Sequence, residues 1–186
     1  MINKRKIACI TGTRADYPRV RSVLKEISSR DNLELYIIVT GSHLLQEYGY
    51  SAQEIIDDGF VISKKVEMFL GDFDTPLGMA QASARCTSGV AKALSEIDPD
   101  IVLITVDRVE TLASITAACL MNFPIAHIQG GEVTGTIDES IRHAVTKLSH
   151  IHFPATLDAA KRIIKMGENE KYVFNTGCPY IDEINN

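Results

Sequence analysis

The stretch from His127 to His143 holds most of the side chains that could do chemistry: His-Ile-Gln-Gly-Gly-Glu-Val-Thr-Gly-Thr-Ile-Asp-Glu-Ser-Ile-Arg-His. Gly130, Gly131 and Gly135 make a loop whose backbone can come close to a ligand. Glu132 and Asp138 flank that loop, and carboxylates so placed can move protons or steady a developing positive charge. Beyond the loop the spacing turns helical, with Ile141, Ala144, Val145 and Leu148 on the stripe that faces a core. At about 100° per residue, Asp138 and Arg142 stand at the edge of this stripe, one turn apart. Glu139 and His143 point nearer to solvent. An edge position can half-desolvate a charge and tune it, which favours Asp138 and Arg142 over their neighbours. The plain alternative is an ordinary helix ion pair.

Other candidates follow apolar runs. Gly12-Thr13-Arg14-Ala15-Asp16-Tyr17 is a small-residue turn before a helix, an anion site in outline, with Arg14 as a planar cation. It matches neither G-x-G-x-x-G nor a Walker loop. His43, in Gly41-Ser42-His43-Leu44, could meet a ligand edge or satisfy the turn. Asp107 directly follows a very apolar run, so it is an N-cap, a catalytic or ribose-binding acid, or both. His150 and His152 would share one face of a strand, but no acid or cysteine cluster joins them, so a metal site is not expected.

These residues need elements to hold them. Strands are expected over Ile7–Thr11, Leu33–Thr40, Phe60–Met68, Ile101–Val106, Pro124–Ile128, Ile151–Pro154 and Tyr172–Thr176. Helices are expected between them, over Ala52–Asp57, Leu77–Ile97, Asp107–Met121, from a Thr136–Glu139 capping box to Leu148, and over Leu157–Met166, with a first helix carrying Val20, Val23, Leu24 and Ile27. Six or seven strands alternating with helices predict an α/β fold: a Rossmann-like parallel sheet with helices on both faces. Ligands of such sheets bind at the C-terminal strand ends, where these candidates sit. The 186 residues, 45% hydrophobic, suit one domain spanning 1–186. A net charge of −5 argues against general nucleic-acid binding, and no apolar run reaches membrane-spanning length. Four scattered cysteines without a C-x-x-C pair fit reduced thiols in a cytoplasmic protein.

Taken in order, these motifs resemble the hydrolysing UDP-N-acetylglucosamine 2-epimerases and their relatives acting on UDP-diacetamido sugars. The matching pieces are Gly12–Tyr17, Val39–Leu44, Asp107–Glu110, His127–Glu132, Gly135–His143 and Thr176–Pro179. The resemblance implies the N-terminal half of a two-domain GT-B-like fold, with the C-terminal nucleotide-binding domain absent from this chain and the isolated domain poorly active. It implies elimination of UDP across C1–C2 of the sugar, then addition of water with inversion at C2, without metal or cofactor. Asp107, Glu132 and Asp138 become the expected catalytic acids. Arg14, Arg19, His43, Gln129, Gly130, Gly131, Arg142 and His143 become the expected substrate-binding residues. A UDP-sugar and a second copy of the chain become the expected partners.

Three positions depart from the family pattern. Gln129 stands where many members carry a catalytic glutamate, and an amide cannot transfer protons. Val106 stands where many have glycine. Pro18-Arg19 replaces a small residue and lysine, and Arg19 keeps the charge. Two other functions remain open at this point: a GT-B glycosyltransferase domain, and a non-catalytic binding or assembly module.

Overall fold

The computed structural model describes residues 4–71 and 73–184. Its strands are β1 (Arg5–Thr11), β2 (Leu33–Thr40), β3 (Ile62–Val66), β4 (Ile101–Thr105), β5 (Ile125–Ile128) and β6 (Ile151–Phe153). They form one sheet in the order β3-β2-β1-β4-β5-β6, parallel at every pairing. The order reverses between β1 and β4, which opens a crevice beyond their C-terminal ends. The helices are α1 (Arg21–Ser28), α2 (Ala52–Asp57), α3 (Pro76–Ile97), α4 (Val109–Leu120), α5 (Ile137–Leu148), α6 (Leu157–Lys165) and α7 (Pro179–Ile184).

The central strands are apolar on both faces because helices cover both. Ala8, Ile10, Ile38, Val102 and Ile104 join a core with the buried faces of α3, α4 and α5. Cys9, Ile37, Val39 and Leu103 alternate with them and join a second core with α1 and α2. α3 starts where Pro76 follows the N-cap Thr75, whose side chain accepts from the Gly78 N–H at 3.0 Å. It stops at Asp98, which turns left-handed (φ 51°).

Local expectations shift in four places. Tyr172–Thr176 is not a seventh strand: Val173 makes a single bridge to His152, after a short 3-10 turn. β3 is shorter than expected, Ile62–Val66. α4 begins at Val109, which leaves Asp107 in the preceding turn. The capping box is displaced: Thr136 caps α5 without a side-chain bond, and Glu139 Oε2 instead accepts from the N–H groups of Thr134 and Gly135, both at 2.7 Å.

Among the described residues, no helix is long and apolar enough to cross a membrane.

Candidate active site

The crevice at the β1/β4 switch is a cleft of about 460 Å³. The turn after β1 supplies Asp16 and Arg19, the end of β4 supplies Asp107 and Arg108, the loop after β5 supplies Gln129 and Glu132, and α5 supplies Asp138 and Arg142. All three expected catalytic acids thus line one hollow, together with Arg19, Gln129 and Arg142.

Each side chain is held differently. Arg142, 6% exposed, forms an ion pair with Asp107 through Nη2 and donates from Nη1 to the Glu132 carbonyl at 2.8 Å. One guanidinium therefore ties α5 to the end of β4 and to the glycine loop, which a point-charge lysine could not do. The helix-pair alternative for Asp138 and Arg142 fails, since Arg142 spends its fork on Asp107 and the loop. Asp138 makes no hydrogen bond or ion pair among the described residues and stays open to the cleft. Glu132 accepts from the Thr156 hydroxyl at 3.3 Å. Arg19 donates to Gln129 Oε1 at 2.6 Å and to the Ala15 carbonyl at 3.2 Å, while Gln129 Nε2 donates to Cys178 Sγ. A neutral amide orients Arg19 without cancelling its charge.

The backbone beneath is bent to deliver these groups. Val106 and Gln129, each just past a strand end, are both left-handed (φ 64° and 61°). For a β-branched residue this is rare and costs of the order of 1–3 kcal/mol. The buried His127 supports the bend: its Nε2 lies 3.3 Å from the Val106 carbonyl, which can only accept, so Nε2 carries the hydrogen. Burial pushes His127 down to about 3 and keeps the ring neutral. Gly130 is needed because a Cβ there would lie 2.8 Å from His127 Nδ1 and 2.9 Å from Thr146 Oγ1.

Five expected binding residues lie outside the cleft lining. His43 is fully buried, with Nε2 3.0 Å from Thr11 Oγ1 and Nδ1 2.8 Å from Ser51 Oγ. The left-handed Gly41 starts a 3-10 turn that folds this ring inward, and burial lowers its pKa to about 4. Gly130 and Gly131 are packing glycines, the second pressed against the Ala159 carbonyl. Arg14 is exposed beyond the turn. His143 lies on the outer side of α5, 4.0 Å from Glu139. His150 and His152 part company too: His150 Nδ1 accepts from the Ile125 N–H, and His152 faces Glu168 at 3.3 Å.

Two carboxylates escaped singling out. Asp16 is 3% exposed, and burial raises it to about 6. Glu110 is 2% exposed and is also raised by burial. Both sat inside quoted motifs, whose spacing gave no sign of their burial.

A family model described as UDP-N-acetylglucosamine 2-epimerase matches residues 25–186. The chain is 43% identical over 180 residues to a UDP-N,N'-diacetylbacillosamine 2-epimerase (hydrolyzing) of Legionella pneumophila, covering 97% of this chain and 48% of that one. It is 38% identical to a GDP/UDP-N,N'-diacetylbacillosamine 2-epimerase (hydrolyzing) of Campylobacter jejuni, covering 95% and 46%. The crystal structure of UDP-GlcNAc 2-epimerase from Neisseria meningitidis bound to UDP-GlcNAc superposes with a TM-score of 0.84 at 21% identity, covering 95% of this chain and 48% of that one. The chain spans about half the length of the curated relatives it matches.

Proposed function

Since the chain belongs to the UDP-N-acetylglucosamine 2-epimerase family, we propose that it is the sugar-side half of a hydrolysing 2-epimerase acting on a UDP-2-acetamido sugar. The identity to the two diacetylbacillosamine enzymes favours a diacetamido sugar as substrate. A second domain would supply the nucleotide half of the cleft, and the whole enzyme would work in the cytoplasm as a homo-oligomer. The observation that carries this proposal is the convergence of Asp107, Glu132 and Asp138 with Arg19 and Arg142 on one cleft.

The chemistry follows from how each group is held. Loss of UDP across C1–C2 needs a base for the weakly acidic C2 proton, a fixed negative charge near C1, and a cation for the leaving diphosphate. Asp138, unencumbered and facing the cleft, takes the proton at C2. Asp107, ion-paired with Arg142, keeps a carboxylate in a fixed place and steadies positive charge at C1. Arg19, oriented by a neutral partner, keeps its charge for the diphosphate. Glu132 is the second group able to exchange a proton with C2, a task Gln129 cannot perform. Water then bonds to C1 through its oxygen and loses one proton to the bound diphosphate or to solvent, a cleft acid returns a proton to the opposite face of C2, and the product is the 2-epimer.

The test is made on the full-length enzyme with UDP-N-acetylglucosamine and UDP-N,N'-diacetylbacillosamine, following UDP release and the free sugar. The expected products are UDP and the 2-epimer. Asp138→Asn should cut turnover by about 100-fold or more with the fold intact by circular dichroism. Sugar transfer to an acceptor without free epimer would point to a glycosyltransferase instead. Binding without turnover would point to a non-catalytic module.

A further inference from the structure

Behind the cleft floor, between the ends of β1 and β4, lies a second cavity of about 10 Å³, room for about one water. Gly12, Asp16, Thr105, Glu110 and Ser114 are among its walls. Glu110, in the first turn of α4, is 2% exposed. Its two carboxylate oxygens and the Thr105 hydroxyl have no hydrogen-bond partner among the described residues. Arg108 Nε stands 3.6 Å from Glu110 Oε2. The chain makes room for this side chain at two glycines. A Cβ on Gly12 would lie 2.9 Å from Glu110 Cβ, and one on Gly41 would lie 2.7 Å from Glu110 Cγ. A buried acid that among the described residues meets only the distant Arg108 guanidinium, yet has two glycines cleared for it, stabilises the fold poorly.

Asp16 connects this cavity to the cleft, because it lines both. Its Oδ2 accepts from the Gly12 N–H at 3.3 Å. Burial raises both acids, and Glu110 adds to the rise at Asp16. The other charged or titratable groups that act on the pair are Arg108, Asp138 and the Cys86 thiol.

We propose that Asp16 and Glu110 hold one proton between them through a water in the small cavity, and that Asp16 exchanges this proton with the carboxylates of the cleft. The inference rests on the reaction proposed above. Each turnover takes a proton from one face of C2 and returns one to the other, so one cleft carboxylate ends protonated and another ends a proton short. Asp16 restores the second by breaking its own O–H bond. The first then gives its proton to Asp16. Between the two transfers the pair is doubly ionised beside Arg108, and over the cycle the carboxylates neither gain nor lose a proton, because the one released by the water that adds at C1 leaves with the diphosphate or to solvent.

Side-chain carboxyl NMR of the full-length enzyme, with carbon-13 in Asp and Glu, tests the pair without substrate. The expected result is one proton retained by the pair at pH 6 and a coupled titration of Asp16 and Glu110 that Glu110→Gln abolishes. Two independent acids, both ionised below pH 5, would overturn the proposal. With substrate, Glu110→Gln should lower kcat about tenfold or more, narrow the pH profile and leave KM unchanged. An unchanged kcat and profile would overturn it as well. If Glu110→Gln does not fold, Thr105→Val removes a hydroxyl from the cavity wall, with the same loss expected and the same overturning result. If the wild-type enzyme makes no 2-epimer, the reaction falls, and the titration alone still decides whether the pair shares a proton.

Discussion

At the scale of single residues, the site is organised by which charges are compensated. Among the described residues, Asp107 has Arg142, Arg19 has a neutral amide and a backbone carbonyl, and Asp138 faces the cleft without a hydrogen-bond partner. Asp16 has a cost attached that can be measured. Burial lifts its pKa from 3.8 to about 6, so between those values the folded state holds a proton that the unfolded state has released. Stability tied to this acid is therefore full below about pH 4 and is lost as the pH rises through about 6. Asp16→Asn removes the penalty, since an amide oxygen can still accept from the Gly12 N–H. The variant should be more stable than wild type at pH 8, by up to about 3 kcal/mol, with the gap closing below pH 4 in urea titrations. Val106 belongs to the same scale. Many relatives were expected to carry glycine there, and the left-handed φ of 64° supplies the reason: glycine meets that bend without steric cost, and valine does not.

At the scale of elements, the loop from Gln129 to Thr136 is shaped from below rather than by its own glycines. His127 and Thr146 crowd Gly130, the Ala159 carbonyl and Ile163 crowd Gly131, and Glu139 ties down the N–H groups of Thr134 and Gly135. Arg142 and Arg162 hold the carbonyls of Glu132 and Gly131. Gly131→Ala puts a Cβ 2.5 Å from a backbone oxygen at φ 82°, where nothing can yield. We expect a loss of about 2–4 kcal/mol on chemical denaturation. Gly135→Ala, at φ 74° with nothing within 4 Å, should cost about 1 kcal/mol. Equal losses would mean that the loop is set by backbone conformation alone.

At the scale of the whole molecule, two cores lie on opposite faces of one sheet, and we expect residues 1–186 to fold alone. Function is another matter, because the proposed diphosphate and uridine contacts need a second wall. Residues 1–186 should unfold cooperatively by themselves, yet release UDP at least about 100-fold more slowly than the full-length enzyme. Equal rates would place the entire active site in this half.

The sequence by itself determined the alternation of strands and helices, the parallel sheet and the motif runs at the strand ends. These depend on local periodicity and on turn chemistry, which neighbouring residues express. It also picked out Asp107, Glu132, Asp138 and Arg142, because charges stand out where apolar runs stop, whereas Arg19 and Gln129 came only from the family resemblance. The packing of one element on another decided the rest. His43 and Arg14 occupy equivalent strand-end turns, yet one points into the core and the other to solvent, since the direction depends on a turn's left-handed glycine and on what lies behind it. Gly130 and Gly131 read as room for a ligand and proved to be room for His127 and Ala159. Asp16 and Glu110 lie far apart in sequence, and only the meeting of β1 with β4 sets both beside one water-sized hollow. Desolvation is a property of three-dimensional surroundings, so no spacing along the chain could have revealed it.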